Sequence, residues 1–174
     1  MNSTQSIVAV GRILSNQRID LPAAPGVYAF WWMGERSALM GSNRHIILKG
    51  PNGRPVDVTF QDWWPPELDY PCPYVGKSTN IKKRFSLHIK RSSPGRLHTI
   101  PPTNEKQKPV TTTCQLRYGI EHIFKNEQNP LQIISNSVGF SYKRFSENEI
   151  AERFFTEDRL IGMWKPWFNI DSER

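Results

Sequence analysis

The chain is poor in cysteine: Cys72 and Cys114 are its only two among 174 residues. Neither has a second Cys or His at metal-ligand spacing, which excludes a disulfide scaffold and a zinc finger and points to a reducing, cytoplasmic setting. Long apolar runs are missing as well. The best candidates are interrupted by Pro, Lys or Arg before they reach the roughly 20 residues that cross a bilayer, and mean hydropathy is -0.56, so no membrane partner is expected. Residues 1–12 lack a basic segment leading into a long apolar one, so no secretory leader is expected either. Low-complexity repeats and long linkers are absent. The length fits one compact domain over 1–174, able to bury about two-thirds of its unfolded surface.

Acidic residues are also in short supply. Sixteen Asp and Glu face 23 Lys and Arg, a formal net charge of +7, and such a field favours polyanions through phosphate contacts and counterion release. The excess is local. From 77 to 108 the chain carries Lys77, Lys82, Lys83, Arg84, Lys90, Arg91, Arg96, Lys106 and Lys108 against Glu105 alone, nine cations less one carboxylate, or +8. The plain alternative is a basic surface that serves only solubility.

Punctuation divides the chain. Pro25-Gly26 precedes the apolar run Val27 to Trp32, which reads as a strand. Runs at 45–49 and 55–60 flank Pro51-Asn52-Gly53-Arg54 and predict a β-hairpin, because Asn and Gly both tolerate positive φ. Prolines at 65, 66, 71 and 73 force an irregular approach to a short strand, Tyr74-Val75-Gly76. Ser78, Thr79 and Asn80 are N-cap candidates for a helix over 81–91, whose Ile81, Phe85 and Ile89 recur every four residues. A basic loop over about 92–113, a helix near 116–124, a strand near 138–142 and a last helix behind the S-x-x-E box Ser146 to Glu149 complete the reading. The expected class is α+β: a small, mainly antiparallel sheet flanked by helices.

Two groups of residues look out of place. In the last helix, positions 150, 154, 157, 161 and 164 form one stripe of Ile, Phe, Glu, Ile and Trp. Glu157 there is either the wet edge of a wider face or a carboxylate that needs a partner, since burial of an unpaired charge costs several kcal/mol. Arg84 and His88 share a face of the basic helix at i and i+4. Their heads could converge, an Arg fork suiting phosphate oxygens and a His moving protons near neutrality, or they could be ordinary surface groups.

Read together, these residues resemble the GIY-YIG nuclease superfamily. Gly26-Val27-Tyr28 resembles its first motif and Tyr74-Val75-Gly76 its second, with Lys77 next and Arg84 and His88 ten and fourteen residues after Tyr74. Glu157 opens a segment ending Pro166-Trp167-Phe168-Asn169 that is similar to the closing motif. Tyr28 and Tyr74 lie 46 positions apart, so the resemblance implies an insertion over about 33–72, with the Asn-Gly hairpin folded out of the sheet. Such an elaborated chain, without a recognisable appended targeting domain, resembles the restriction-endonuclease branch.

The resemblance implies cleavage of phosphodiester bonds in double-stranded DNA. It assigns Mg2+ (or Mn2+) to Glu157, the general base to Tyr28 with His88 beside it, the phosphate clamp to Arg84, positioning of phosphate or water to Tyr74, and a steadying role to Asn169. Lys77, Lys82, Lys83, Lys90 and Arg91 are expected to contact the DNA backbone. The pairs Trp31-Trp32 and Trp63-Trp64 offer apolar surface for a homodimer on a symmetric target, or else pack onto their own domain. A structure-specific repair or recombination nuclease, and a DNA-binding module that keeps the fold without cleaving, are the alternatives.

Overall fold

A computed structural model describes residues 6–16, 18–49, 52, 54–89 and 115–170. In chain order the elements are β1 (Val8–Ala9), α1 (Val10–Ser15), β2 (Gly26–Trp32), α2 (Arg36–Met40), β3 (His45–Lys49), β4 (Pro55–Thr59), β5 (Tyr74–Ser78), α3 (Ile81–Ile89), α4 (Gln115–Ile123), α5 (Pro130–Ser137), β6 (Val138–Arg144) and α6 (Ile150–Trp164), followed by a 3-10 turn at Trp167–Asn169. The class is α+β, as expected. Four strands form an antiparallel sheet in the order β1-β6-β2-β5, and β3 with β4 forms a separate two-stranded sheet. Among the described residues, no helix is long and apolar enough to cross a membrane.

All seven residues of β2 are buried, because this strand is covered on both faces. Its side chains alternate between two cores. Tyr28, Phe30 and Trp32 meet Val10 of α1, Phe85 and Ile89 of α3, Leu116 and Ile120 of α4 and Ile134 of α5. Val27, Ala29 and Trp31 meet Leu160 and Trp164 of α6. Period-two alternation therefore sorts β2 between a many-helix side and an α6 side.

Asn80 is the N-cap chosen from the three candidates: its Oδ1 accepts from the Lys83 amide at 2.8 Å. Of the capping box before α6, the reverse half forms, with the Ser146 amide donating to Glu149 at 2.6 Å. The stripe along α6 needs correction. Ile150 and Phe154 are exposed, at 55% and 47%, and the buried line runs through Arg153, Glu157, Leu160 and Trp164. Of the two readings of the tryptophans, dimer surface and packing within the domain, the structure follows the second for three of the four. Trp31, Trp32 and Trp64 are buried in the chain's own cores, and Trp63 donates to the Lys165 carbonyl at 2.8 Å. The basic loop over about 92–113, together with Lys90 and Arg91, lies outside the described residues.

Candidate active site

The site forms around β5, an edge strand. Tyr28 and Gly76 are register partners, as are Phe30 and Tyr74, so the two tyrosines project side by side on the many-helix face, with ring centroids 6.2 Å apart. Across them lies one face of α3. His88, four residues beyond Arg84, places Nε2 at 2.9 Å from the Tyr28 hydroxyl, and Arg84 Nε donates to the same oxygen at 3.2 Å. The spacing that put Arg84 and His88 on one helix face thus brings both to one phenol. The Tyr74 hydroxyl donates to Gln115 Oε1 at 2.7 Å, at the start of α4.

Gly76 is required by this packing. A Cβ there would sit 2.4 Å from the Tyr28 hydroxyl oxygen, 2.6 Å from Cζ and 3.0 Å from Tyr74 Cε1. The second motif's glycine is therefore the gap into which the first motif's tyrosine fits.

Burial sets the electrostatics. Tyr28 has no exposed surface; burial pushes its phenol well above the ordinary value, the neighbouring Tyr74 adds to this, and the Arg84 cation opposes it. Burial likewise raises Tyr74, against the pull of Arg84. His88 is pushed down to about 3 by burial and then by Arg84, so the imidazole is neutral at neutral pH. Its Nδ1 is enclosed without a hydrogen-bond partner. An enclosed polar atom left unsatisfied costs about 1 to 3 kcal/mol and calls for an explanation in strain, chemistry or a bound water.

Glu157 and Lys77 stand on the other face of β5. Lys77 follows Gly76 and so points toward α6, where its ammonium pairs with Glu157 Oε2 and lies 4.0 Å from the centroid of the Phe154 ring. Because β5 is an edge strand, this pair is close to the tyrosine cluster: the Glu157 charge contributes to raising Tyr74. Asn169 secures the strand between the two groups. Its side-chain amide accepts from the Val75 N–H and donates to the Val75 carbonyl, both at 2.8 Å, closing the outer edge of β5 as a further strand would.

The six expected catalytic residues therefore divide into a cluster of Tyr28, Tyr74, Arg84 and His88, an acidic group at Glu157, and Asn169 as a backbone clamp. Of the expected DNA contacts, Lys77 is committed to Glu157, Lys82 pairs with Asp20 at 2.7 Å and Lys83 is exposed. Sequence reasoning left Gln115 and the steric role of Gly76 unread. Only Gly76 carried a signal, its place in the second motif.

A divalent cation fits the donor set in one way. Among the described residues no three His, Cys, Asp or Glu side chains gather as a ready-made cage, whereas a hard cation that keeps most of its waters needs only a carboxylate and a substrate phosphate. The Lys77 ammonium on Oε2 shows this carboxylate holding a positive charge at that point. No protein-family model, curated protein or solved structure matches the chain.

Proposed function

We propose that the chain is a metal-dependent endonuclease of the GIY-YIG type that hydrolyses phosphodiester bonds in double-stranded DNA, as a sequence-specific type II restriction enzyme. The observation that carries this reading is the meeting of Arg84 and His88 on the buried Tyr28 hydroxyl, beside a strand whose other face carries the Lys77–Glu157 pair.

Hydrolysis needs a base for water, a clamp for phosphate charge and help for the departing 3'-oxygen. Arg84 only donates, and with the imidazole hydrogen on Nδ1 the Tyr28 hydroxyl donates to His88 Nε2, the tautomer this mechanism requires. Tyr28 takes a proton from water as it passes its own to His88. In the free protein the step is uphill, because burial and the Arg84 charge hold the imidazole neutral. A phosphate arriving on Arg84 cancels part of that field and makes His88 more basic. Proton movement is thereby coupled to substrate binding.

Gln115 covers Tyr74 in the free protein, so an entering phosphate or water replaces that amide on the phenol. Glu157 is the residue to hold Mg2+, which when bound supplies Lewis-acid stabilisation of the phosphate and leaving oxygen. Lys77, displaced from Glu157, is then free to meet phosphate. The separate β3-β4 sheet supports the restriction reading, since it stands outside the catalytic sheet where a ribbon could read base edges.

Digestion of phage DNA with Mg2+ tests this reading. Discrete bands are expected; a featureless smear at limiting protein, or cutting confined to branched substrates, refutes the restriction assignment. Light scattering on a cut duplex is expected to show two chains per site.

A further inference from the structure

Among the described residues two arginines are buried, and they are treated differently. Arg117 is fully enclosed and paired: it donates to Glu121 Oε1 at 2.8 Å and to the Ile89 carbonyl at 3.1 Å. Arg153 is only 6% exposed, yet its Nη1 is enclosed without a hydrogen-bond partner and its guanidinium makes no ion pair with a described carboxylate. Carboxylates stand one helical turn away on both sides. Glu149, at i-4, turns to the Ser146 amide, and Glu157, at i+4, is held by Lys77. A long cation at a surface normally keeps its head in water, and a buried one is normally paired. Arg153, on the buried line that carries Glu157, has no ion pair among the described residues and keeps one of its nitrogens out of water.

We infer that Arg153 is a phosphate-binding residue, taking a backbone phosphate of the nucleic-acid strand that lies against the N-terminal half of α6. The inference rests on the nuclease reading for its ligand and on the unpaired guanidinium for its place. Arg153 stands one helical turn from Glu157 on α6, so the phosphate it takes lies on the α6 side of β5, across the strand from the Arg84 clamp. Of its nitrogens Nη1 is the one enclosed without a partner, so the rest of the planar fork is what the oxygens of a phosphodiester would meet. The acidic neighbours, occupied elsewhere, leave it free for an external anion.

The test uses the full chain in EDTA, where binding is read without metal. Duplex DNA affinity is measured against salt for wild type, Arg153→Met, Arg153→Lys and Arg159→Met, the last an equal charge change on the exposed face of the same helix. Arg153→Met is expected to flatten the slope of log affinity against log salt by about 0.9, with Arg153→Lys and Arg159→Met close to wild type. Inorganic tripolyphosphate is expected to raise the melting temperature of wild type and Arg159→Met more than that of Arg153→Met. Without ligand, Arg153→Met is expected to melt no lower than wild type, because it removes an unpaired buried charge.

An unchanged slope in Arg153→Met overturns the proposal, and a lost tripolyphosphate response with an unchanged DNA slope overturns the assignment to a nucleic-acid strand. If Arg153→Met does not fold, a flattened slope in Arg153→Lys, which keeps the charge, overturns it too. Failure of the nuclease reading is visible separately: no cleavage with Mg2+ while the slope still flattens.

Discussion

The contact between Gly76 and Tyr28 gives the sharpest prediction about how the site is built. In Gly76→Ala the new methyl would lie 2.4 Å from the Tyr28 hydroxyl oxygen, and ordinary contact begins at 3.4 Å, so one group must give by 1.0 Å. The strand backbone is pinned by Ala29 on one side and by the Asn169 amide on the other, so the ring moves. Its hydroxyl then leaves His88 and Arg84, now at 2.9 and 3.2 Å. Overpacking of this kind costs about 1 to 3 kcal/mol, and at roughly 2 to 4 °C per kcal/mol for a chain of this size the melting temperature falls by roughly 2 to 12 °C. Turnover suffers more, since a misplacement near 1 Å costs on the order of 100-fold.

Thermal melting and single-turnover cleavage measure the two effects on one preparation. Gly162→Ala is the control: a Cβ there meets nothing within 4 Å, and replacing glycine inside α6 is expected to add up to about 1 kcal/mol. Gly76→Ala with wild-type melting and a rate within about threefold of wild type would refute the claim that this glycine places the tyrosine.

Other consequences follow from the same geometry. His88 titrates at about 3 in the fold and near 6.5 when unfolded, so the unfolded chain gains the proton first as pH falls; stability is present above about 6.5 and drops by about 2 kcal/mol between pH 7 and 5. Denaturation at both pH values is expected to show this slope in wild type and lose that share of it in His88→Leu. Arg84→Ala should depress the single-turnover rate far more than DNA affinity, and Lys83→Ala the reverse; equal effects on the chemical step would make α3 only a solvated basic face. Gln115→Ala uncovers the Tyr74 hydroxyl and is expected to tighten substrate binding by several-fold with little change in the chemical step, read as KM against kcat.

Much of this architecture was legible because its signals were local. The alternation at 27–32, the Asn-Gly pair with Asn52 at φ 56°, the glycine after Tyr74 and the four-residue period of α3 each act through neighbours in the chain. The short helices α1, α2 and α5 were not read, although Asn129 caps α5 through the Gln132 amide ahead of Pro130. The face of α6 differs by one ridge, because hydrophobicity marks Ile150 and Phe154 as covered while both stay exposed, Phe154 with the Lys77 ammonium over its ring. The motif positions named Tyr28, Arg84 and His88, but their convergence depends on the register of β2 against β5 and on the seating of α3. Asn169 showed only its proximity to the site; that it braces the Val75 backbone is a three-dimensional fact.

The central claim is that Glu157 and the Tyr28 cluster form one metal-dependent hydrolytic site. Single-turnover cleavage of duplex DNA by wild type, Glu157→Gln and Tyr28→Phe, with Mg2+ and with EDTA, tests it most directly. Wild type is expected to cut only with Mg2+, while both variants bind DNA and lose cleavage by on the order of 1,000-fold. Cleavage by Glu157→Gln at a rate near wild type, or cleavage by wild type in EDTA, would contradict the account.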